Sequence, residues 1–137
     1  METIKKIKDL YDCMPIISDG ELYPLQKWYN QLIDKTISEI TVADVLRMIR
    51  QKQFIKLAMS MAIKFMQEDV FIGESYDGEM LEKVSEMDSS FLISYACDLK
   101  NIIKSALEES VMHEWSYDEE EDEFKEIIST ITSKLTQ

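Results

Sequence analysis

The residue types that usually carry proton transfer and metal binding are sparse in this sequence. His113 is the one histidine. An imidazole is the usual general base near neutral pH, but it needs a nucleophile or a second ligand beside it. His113-Glu114-Trp115 lacks the second histidine of an HExxH zinc helix. Cys13 and Cys97 lie far apart, outside any CxxC or Cys/His cluster. They read as reduced, mostly buried thiols. There is no glycine-rich phosphate loop and no GxSxG elbow. Asp118-Glu119-Glu120-Glu121-Asp122-Glu123 lacks the alternating ligands and central glycine of a calcium loop. The sequence therefore points to no catalytic residues, no metal site, no cofactor and no enzyme.

Carboxylates are the chemistry the chain does have. The formal net charge is −12. Residues 1 to 70 hold ten acidic and ten basic side chains, whereas residues 71 to 137 hold seventeen acidic and five basic. The densest part, Glu108 to Glu126, has ten acids against Lys125 alone. Such a surface repels phosphates, which argues against nucleic acid as a direct ligand and for a basic partner. Two readings of the acidic run stand side by side. Acids at a helix start interact well with the macrodipole and face water. Acids beside aromatic rings also make docking surfaces, where charge steers approach and rings supply buried area. In the second reading the partner-facing residues are Glu108, Glu109, Glu114, Trp115, Tyr117, Asp118, Glu119, Glu120, Glu121, Asp122 and Glu123. Glu79, Glu82 and Glu86 add a ridge on one helical face. Trp115 and Tyr117 have an alternative role, stapling the last helix to the core. Lys35, Arg47, Arg50, Lys52 and Lys56 form the basic cluster of the chain, which reads as a solvated face or an internal pairing set.

The elements that must position these side chains are helices. At 137 residues with 45% hydrophobic content, the chain suits one domain with a real core. Three glycines and two prolines disfavour a many-turned β architecture. The expected fold class is all-α, a single compact domain of about six helices. The first helix runs from about Glu2 to Asp12, and Pro15, Asp19 and Gly20 punctuate the loop after it. The second starts near Pro24 and ends near Lys35. Thr41 and Asp44 make a capping box, with Asp in the Glu position, for a third helix. The fourth, about Phe54 to Glu68, is apolar nearly all round and is expected at the centre. Its polar stripe is Lys56, Ser60, Lys64 and Gln67.

The fifth segment opens with a short helix from Glu79 to Met87. An Asp88-Ser89 cap then starts a longer one from Ser90 to about Leu107, striped by Phe91, Tyr95, Leu99, Ile102 and Ala106. The last runs from about Asp118 to Leu135 with Phe124, Ile127, Ile128, Ile131 and Leu135 in phase. Ile16-Ile17 and Val70-Phe71-Ile72 are too short for strands and read as buried loop anchors. No stretch is long and apolar enough for a membrane span, and the N-terminus lacks the apolar core of a signal peptide. The cytoplasm is the expected location.

Residues Lys35 to Gln51, reading KTISEITVADVLRMIRQ, resemble the KPLxxLTxEDLRxLIxQ segment of contact-dependent growth inhibition immunity proteins. The similarity continues through Leu57-Ala58 and Ala62-Ile63. It reaches Phe71 to Leu81, FIGESYDGEML, which looks like the PLAxGDFYPGDLL element of that family, and Asp88-Ser89-Ser90-Phe91. Ser60 and Asp77 stand where the family often has proline, and Leu92 stands for its usual tryptophan. The resemblance implies a helical cytoplasmic protein encoded beside a toxin. It would bind the C-terminal domain of that toxin, in many cases a nuclease, and protect the producing cell. The matched positions look structural: Thr41 and Asp44 cap, Gly73 and Gly78 turn, and Leu46, Leu57 and Leu81 pack. The unmatched acidic region is then the better candidate for occluding a basic substrate cleft. The competing reading is a helical adaptor without a toxin partner.

Overall fold

A computed structural model describes residues 5–136 and is all-α, with one isolated bridge between Lys6 and Thr36. Its helices are α1 (Ile7–Leu10), α2 (Pro24–Ile33), α3 (Val42–Gln51), α4 (Ile55–Glu68), α5 (Glu79–Ser85), α6 (Ser89–Ile93), α7 (Ala96–Ser110) and α8 (Asp118–Leu135), with a 3-10 turn at Ile37–Glu39. The chain divides into two compact units, residues 1–44 and 45–137, and α3 runs from one into the other.

In the first unit, α1 is shorter than its stripe suggests, and Glu2 to Ile4 of that expected helix lie outside the described residues. The chain leaves the helix through Asp12, whose φ is 52°. Lys6 and Lys8 both donate to Asp34 Oδ1 at 3.0 Å. The loop before α2 is bracketed by Asn30, which accepts from Ile16 N–H (2.7 Å) and donates to Ile16 carbonyl (3.0 Å). Ile17, expected to be buried with Ile16, is 89% exposed instead, because only the backbone of its neighbour is pinned. Pro24 sits at the helix start as expected, where its missing N–H costs nothing.

The capping box forms as the sequence indicates. Thr41 Oγ1 accepts from Asp44 N–H, and the Asp44 carboxylate accepts from Thr41 N–H, both at 3.1 Å. Asp44 does more than cap. It is 6% exposed and also accepts from Trp28 Nε1–H (3.2 Å) and Lys35 Nζ (2.6 Å). Burial pushes its carboxyl up, but the bonds from Lys35, Thr41 and Trp28 outweigh that and hold it below the ordinary value.

In the second unit, α3 ends in a Schellman pair: Gln53 N–H reaches Met48 carbonyl and Lys52 N–H reaches Ile49 carbonyl. Lys52 takes the left-handed position that glycine usually fills, and Phe54 is left-handed too, at φ 54° and 49°. Helix α4 is buried on Leu57, Ala58, Met59, Met61, Ala62, Ile63 and Met66 and packs against α5 and α7. Lys56, Ser60, Lys64 and Gln67 are its exposed stripe.

The expected helix from Ser90 to Leu107 is two helices. Ser94 N–H and Tyr95 N–H turn back to Phe91 and Leu92, and Tyr95 leaves helical geometry at φ −114°, ψ 18°. Helix α7 then continues to Ser110, three residues beyond the periodic stripe. Cys97, expected to be buried, is exposed on the first turn of α7; both cysteines are free thiols. Helix α8 spans Asp118–Leu135 as the period indicates, with Phe124, Ile128, Ile131 and Leu135 buried. No described helix is long and apolar enough to cross a membrane.

Candidate functional site

An acidic concavity forms where α8 packs against α5, and a loop sets their separation. Gly78 N–H bonds Phe71 carbonyl (2.8 Å) and Met80 N–H bonds Ile72 carbonyl (3.1 Å), closing residues 71–80 into a compact turn. Glu79 braces it by accepting from the N–H groups of Glu74 and Ser75 at 2.8 and 2.9 Å. Gly78 has φ +84°, and a Cβ there would meet the Phe124 ring at 2.7 Å. Glycine is thus required both for the turn and for seating α8.

Phe124 is 2% exposed and belongs to an aromatic cluster. Phe71 stacks on His113 with centroids 3.8 Å apart, and Trp115 lies 5.3 Å from Phe124 and 5.5 Å from Phe71. Trp115 Nε1–H donates to Ser110 carbonyl at 3.2 Å, closing the end of α7. The Trp115 ring, half-buried, is therefore a staple of the entry into α8. Tyr117, 51% exposed, stands free of the cluster.

The groove beside this cluster measures about 840 Å³. Tyr76, Asp77, Glu82 and Glu86 line one side, and Tyr117, Glu120, Glu123 and Glu126 line the other. Lys134 is the one basic side chain in the lining. Its ammonium is already engaged, donating to the carbonyls of Ser85 (2.6 Å) and Met87 (2.8 Å) at the end of α5. Asp77 meets His113 Nε2 at 2.8 Å at the rim. The remaining acids have no cation of the chain at ion-pair distance among the described residues. The field they create is visible in the phenols. Burial and then the Glu82 carboxylate, which accepts from Tyr76 Oη at 2.5 Å, hold Tyr76 well above its ordinary range. Glu123 foremost, with burial and Glu120, raises Tyr117.

The structure thus brings together only part of the acidic set singled out from sequence. Glu82, Glu86, Tyr117, Glu120 and Glu123 face one another across the groove. Glu79 is turned to its own loop. Glu121 pairs with Lys125 at 3.4 Å, on another face of α8. Asp118, Glu119 and Asp122 are exposed outside the groove lining, and Glu114 is exposed in the preceding loop. Glu108 and Glu109 line a separate cleft with Glu68 and Val70.

Tyr76, Asp77, Glu126 and Lys134 belong to the groove but were not singled out from sequence. Glu126 had a local signal, lying three residues after Glu123 on the same helical face. No group of three or more His, Cys, Asp or Glu among the described residues is placed to hold a metal ion. The groove has the chemistry of a receptor for positive charge.

The family model for CDI immunity proteins, those of contact-dependent growth inhibition, matches residues 9–102. The chain belongs to that family. No curated protein matches it. Membership assigns the chain an immunity function against a toxin of this system, and so a cognate toxin as partner. The match contains α5 and stops within α7, so one wall of the acidic groove lies inside the family region and the other, α8, lies beyond it.

Proposed function

We propose that this immunity protein neutralises its toxin by presenting the α5–α8 groove to a basic substrate cleft, most simply that of a nuclease. The observation that carries this reading is the convergence of Glu82, Glu86, Glu120, Glu123 and Glu126 on one groove whose single lysine is committed to backbone carbonyls. Glu82 accepts from Tyr76 Oη and Glu123 from Tyr117, but none of the five carboxylates has a cation of the chain at ion-pair distance among the described residues, so their charge is available to a cationic surface. A nuclease cleft is built to hold phosphates, and a row of carboxylates on a rigid helix offers comparable charge in its place. Tyr117 at the rim adds a ring that slows dissociation once the surfaces meet. Occlusion would occur in the cytoplasm, where an incoming nuclease meets its substrate.

That α8 lies beyond the matched region fits a helix that supplies specificity. A shared scaffold holds the groove, and a separate helix supplies the charges that select one toxin.

The test is binding to the toxin domain encoded beside the immunity gene, using wild type and Glu82→Gln/Glu120→Gln/Glu123→Gln. The triple variant is expected to associate at least about tenfold more slowly at low salt, with a flatter salt dependence. Equal rates and equal salt slopes would remove the groove from the interface while leaving family membership untouched.

A further inference from the structure

A second groove in the same unit differs in character. Its volume is about 480 Å³, and its apolar lining comes from Leu46, Ile49, Ile55, Met87 and Phe91. Leu46 and Ile49 are buried, and Ile55 and Phe91 half-buried. Three cations stand in its lining: Arg50, Lys52 and Lys83. Elsewhere Lys6 and Lys8 pair with Asp34, Lys27 with Glu21, Lys35 with Asp44 and Lys125 with Glu121, while Lys56, Lys64, Lys100 and Lys104 stand without a carboxylate at that distance among the described residues, but outside this groove's lining. Arg50, Lys52 and Lys83 have no carboxylate at that distance among the described residues, although the chain carries a net charge of −12.

The groove is also polarised. Arg50 and Lys52 lie at the end of α3, beside the start of α4, whose N–H groups receive no side-chain cap. Both the side chains and the helix start make that end positive. The acids of the lining, Glu79, Glu86 and Asp88, come from α5 and the turn after it. Glu79 is already engaged by the Glu74 and Ser75 N–H groups. Glu86 lines this groove and the acidic one alike, so the two are contiguous.

We infer that this groove is a second toxin contact, taking from the toxin an apolar side chain flanked by a carboxylate. The apolar side chain would sit over Ile49, Ile55 and Phe91, and the carboxylate would meet Arg50 and Lys52. An apolar anchor inside a charged rim is the usual form of a binding hot spot. The inference rests on the toxin being the partner. It adds that the interface is charged in both senses, so that a merely basic protein satisfies half of it.

The experiment compares toxin binding by wild type, Arg50→Glu/Lys52→Glu, and Phe91→Ala, with melting temperature as the folding control. Arg50 and Lys52 are exposed, so the double variant should melt with wild type. Its affinity is expected to fall at least about tenfold, and Phe91→Ala should weaken binding mainly by faster dissociation. Toxin affinity within twofold of wild type for the folded double variant would overturn the inference. Because these positions lie outside the acidic groove, that result leaves the acidic docking reading standing. Conversely, loss of binding here with no effect of Glu82→Gln/Glu120→Gln/Glu123→Gln supports the second contact and removes the first.

Discussion

Asp44 shows how much one side chain can carry. Its carboxylate caps α3, accepts the Trp28 indole N–H and pairs with Lys35, all while 6% exposed. Because the folded pKa lies below the ordinary value of 3.8, the ionised form is favoured by folding. The stabilisation is complete above the unfolded pKa and is lost as pH falls through the folded one. Asp44→Asn should therefore cost about 2–4 kcal/mol at neutral pH and flatten the acid limb of the stability curve. Urea midpoints measured between pH 7 and pH 3 check both. A wild-type and variant difference that stays constant with pH would contradict the role of the charge. The cap was legible in the sequence because Thr41 and Asp44 are three residues apart and the chemistry is local. The bonds from Trp28 and Lys35 were not, since they depend on α2 and its exit bringing residues 16 and 9 positions away back to Asp44.

At the scale of elements, Lys134 ties α8 to the end of α5. Its ammonium donates to the carbonyls of Ser85 and Met87 at the end of α5. Lys134→Met keeps the aliphatic stem but strands both carbonyls. It should cost about 1–3 kcal/mol, read as a lower urea midpoint at unchanged slope. A variant of wild-type stability would mean that the tie contributes nothing.

Helix boundaries followed the sequence where an acidic first turn leads into a clean period, as for α8 at Asp118–Leu135. They failed at Ser94-Tyr95. There the stripe Phe91, Tyr95, Leu99, Ile102 continues in phase across the break, so periodicity alone sees one helix. Period also cannot show that Glu82 and Glu86 on α5 face Glu120 and Glu123 on α8. That pairing is set by Gly78 admitting the Phe124 ring, a contact between residues 46 positions apart. Trp115 illustrates the same limit. Sequence left it either an interface anchor or a staple of the last helix, and only the fold shows its ring packed on Phe71 and Phe124.

Across the whole molecule, charge and family membership divide the chain differently. The negative excess lies in residues 71–137, and the family match covers residues 9–102. The two overlap over residues 71–102, which include α5, one wall of the acidic groove, with α6 and the start of α7. In the proposed complex, charge would steer the encounter over about a Debye length, roughly 8–10 Å at ordinary salt, and the apolar contacts of the second groove would fix the docked pose.

The central claim is that the toxin covers the α5–α8 groove. Hydrogen exchange of the immunity protein with and without the toxin domain tests it most directly. Protection is expected across residues 76–86 and 117–127 on complex formation, while the α2 amides exchange as in the free protein. Protection confined to residues 5–44, with 76–86 and 117–127 unchanged, would contradict it.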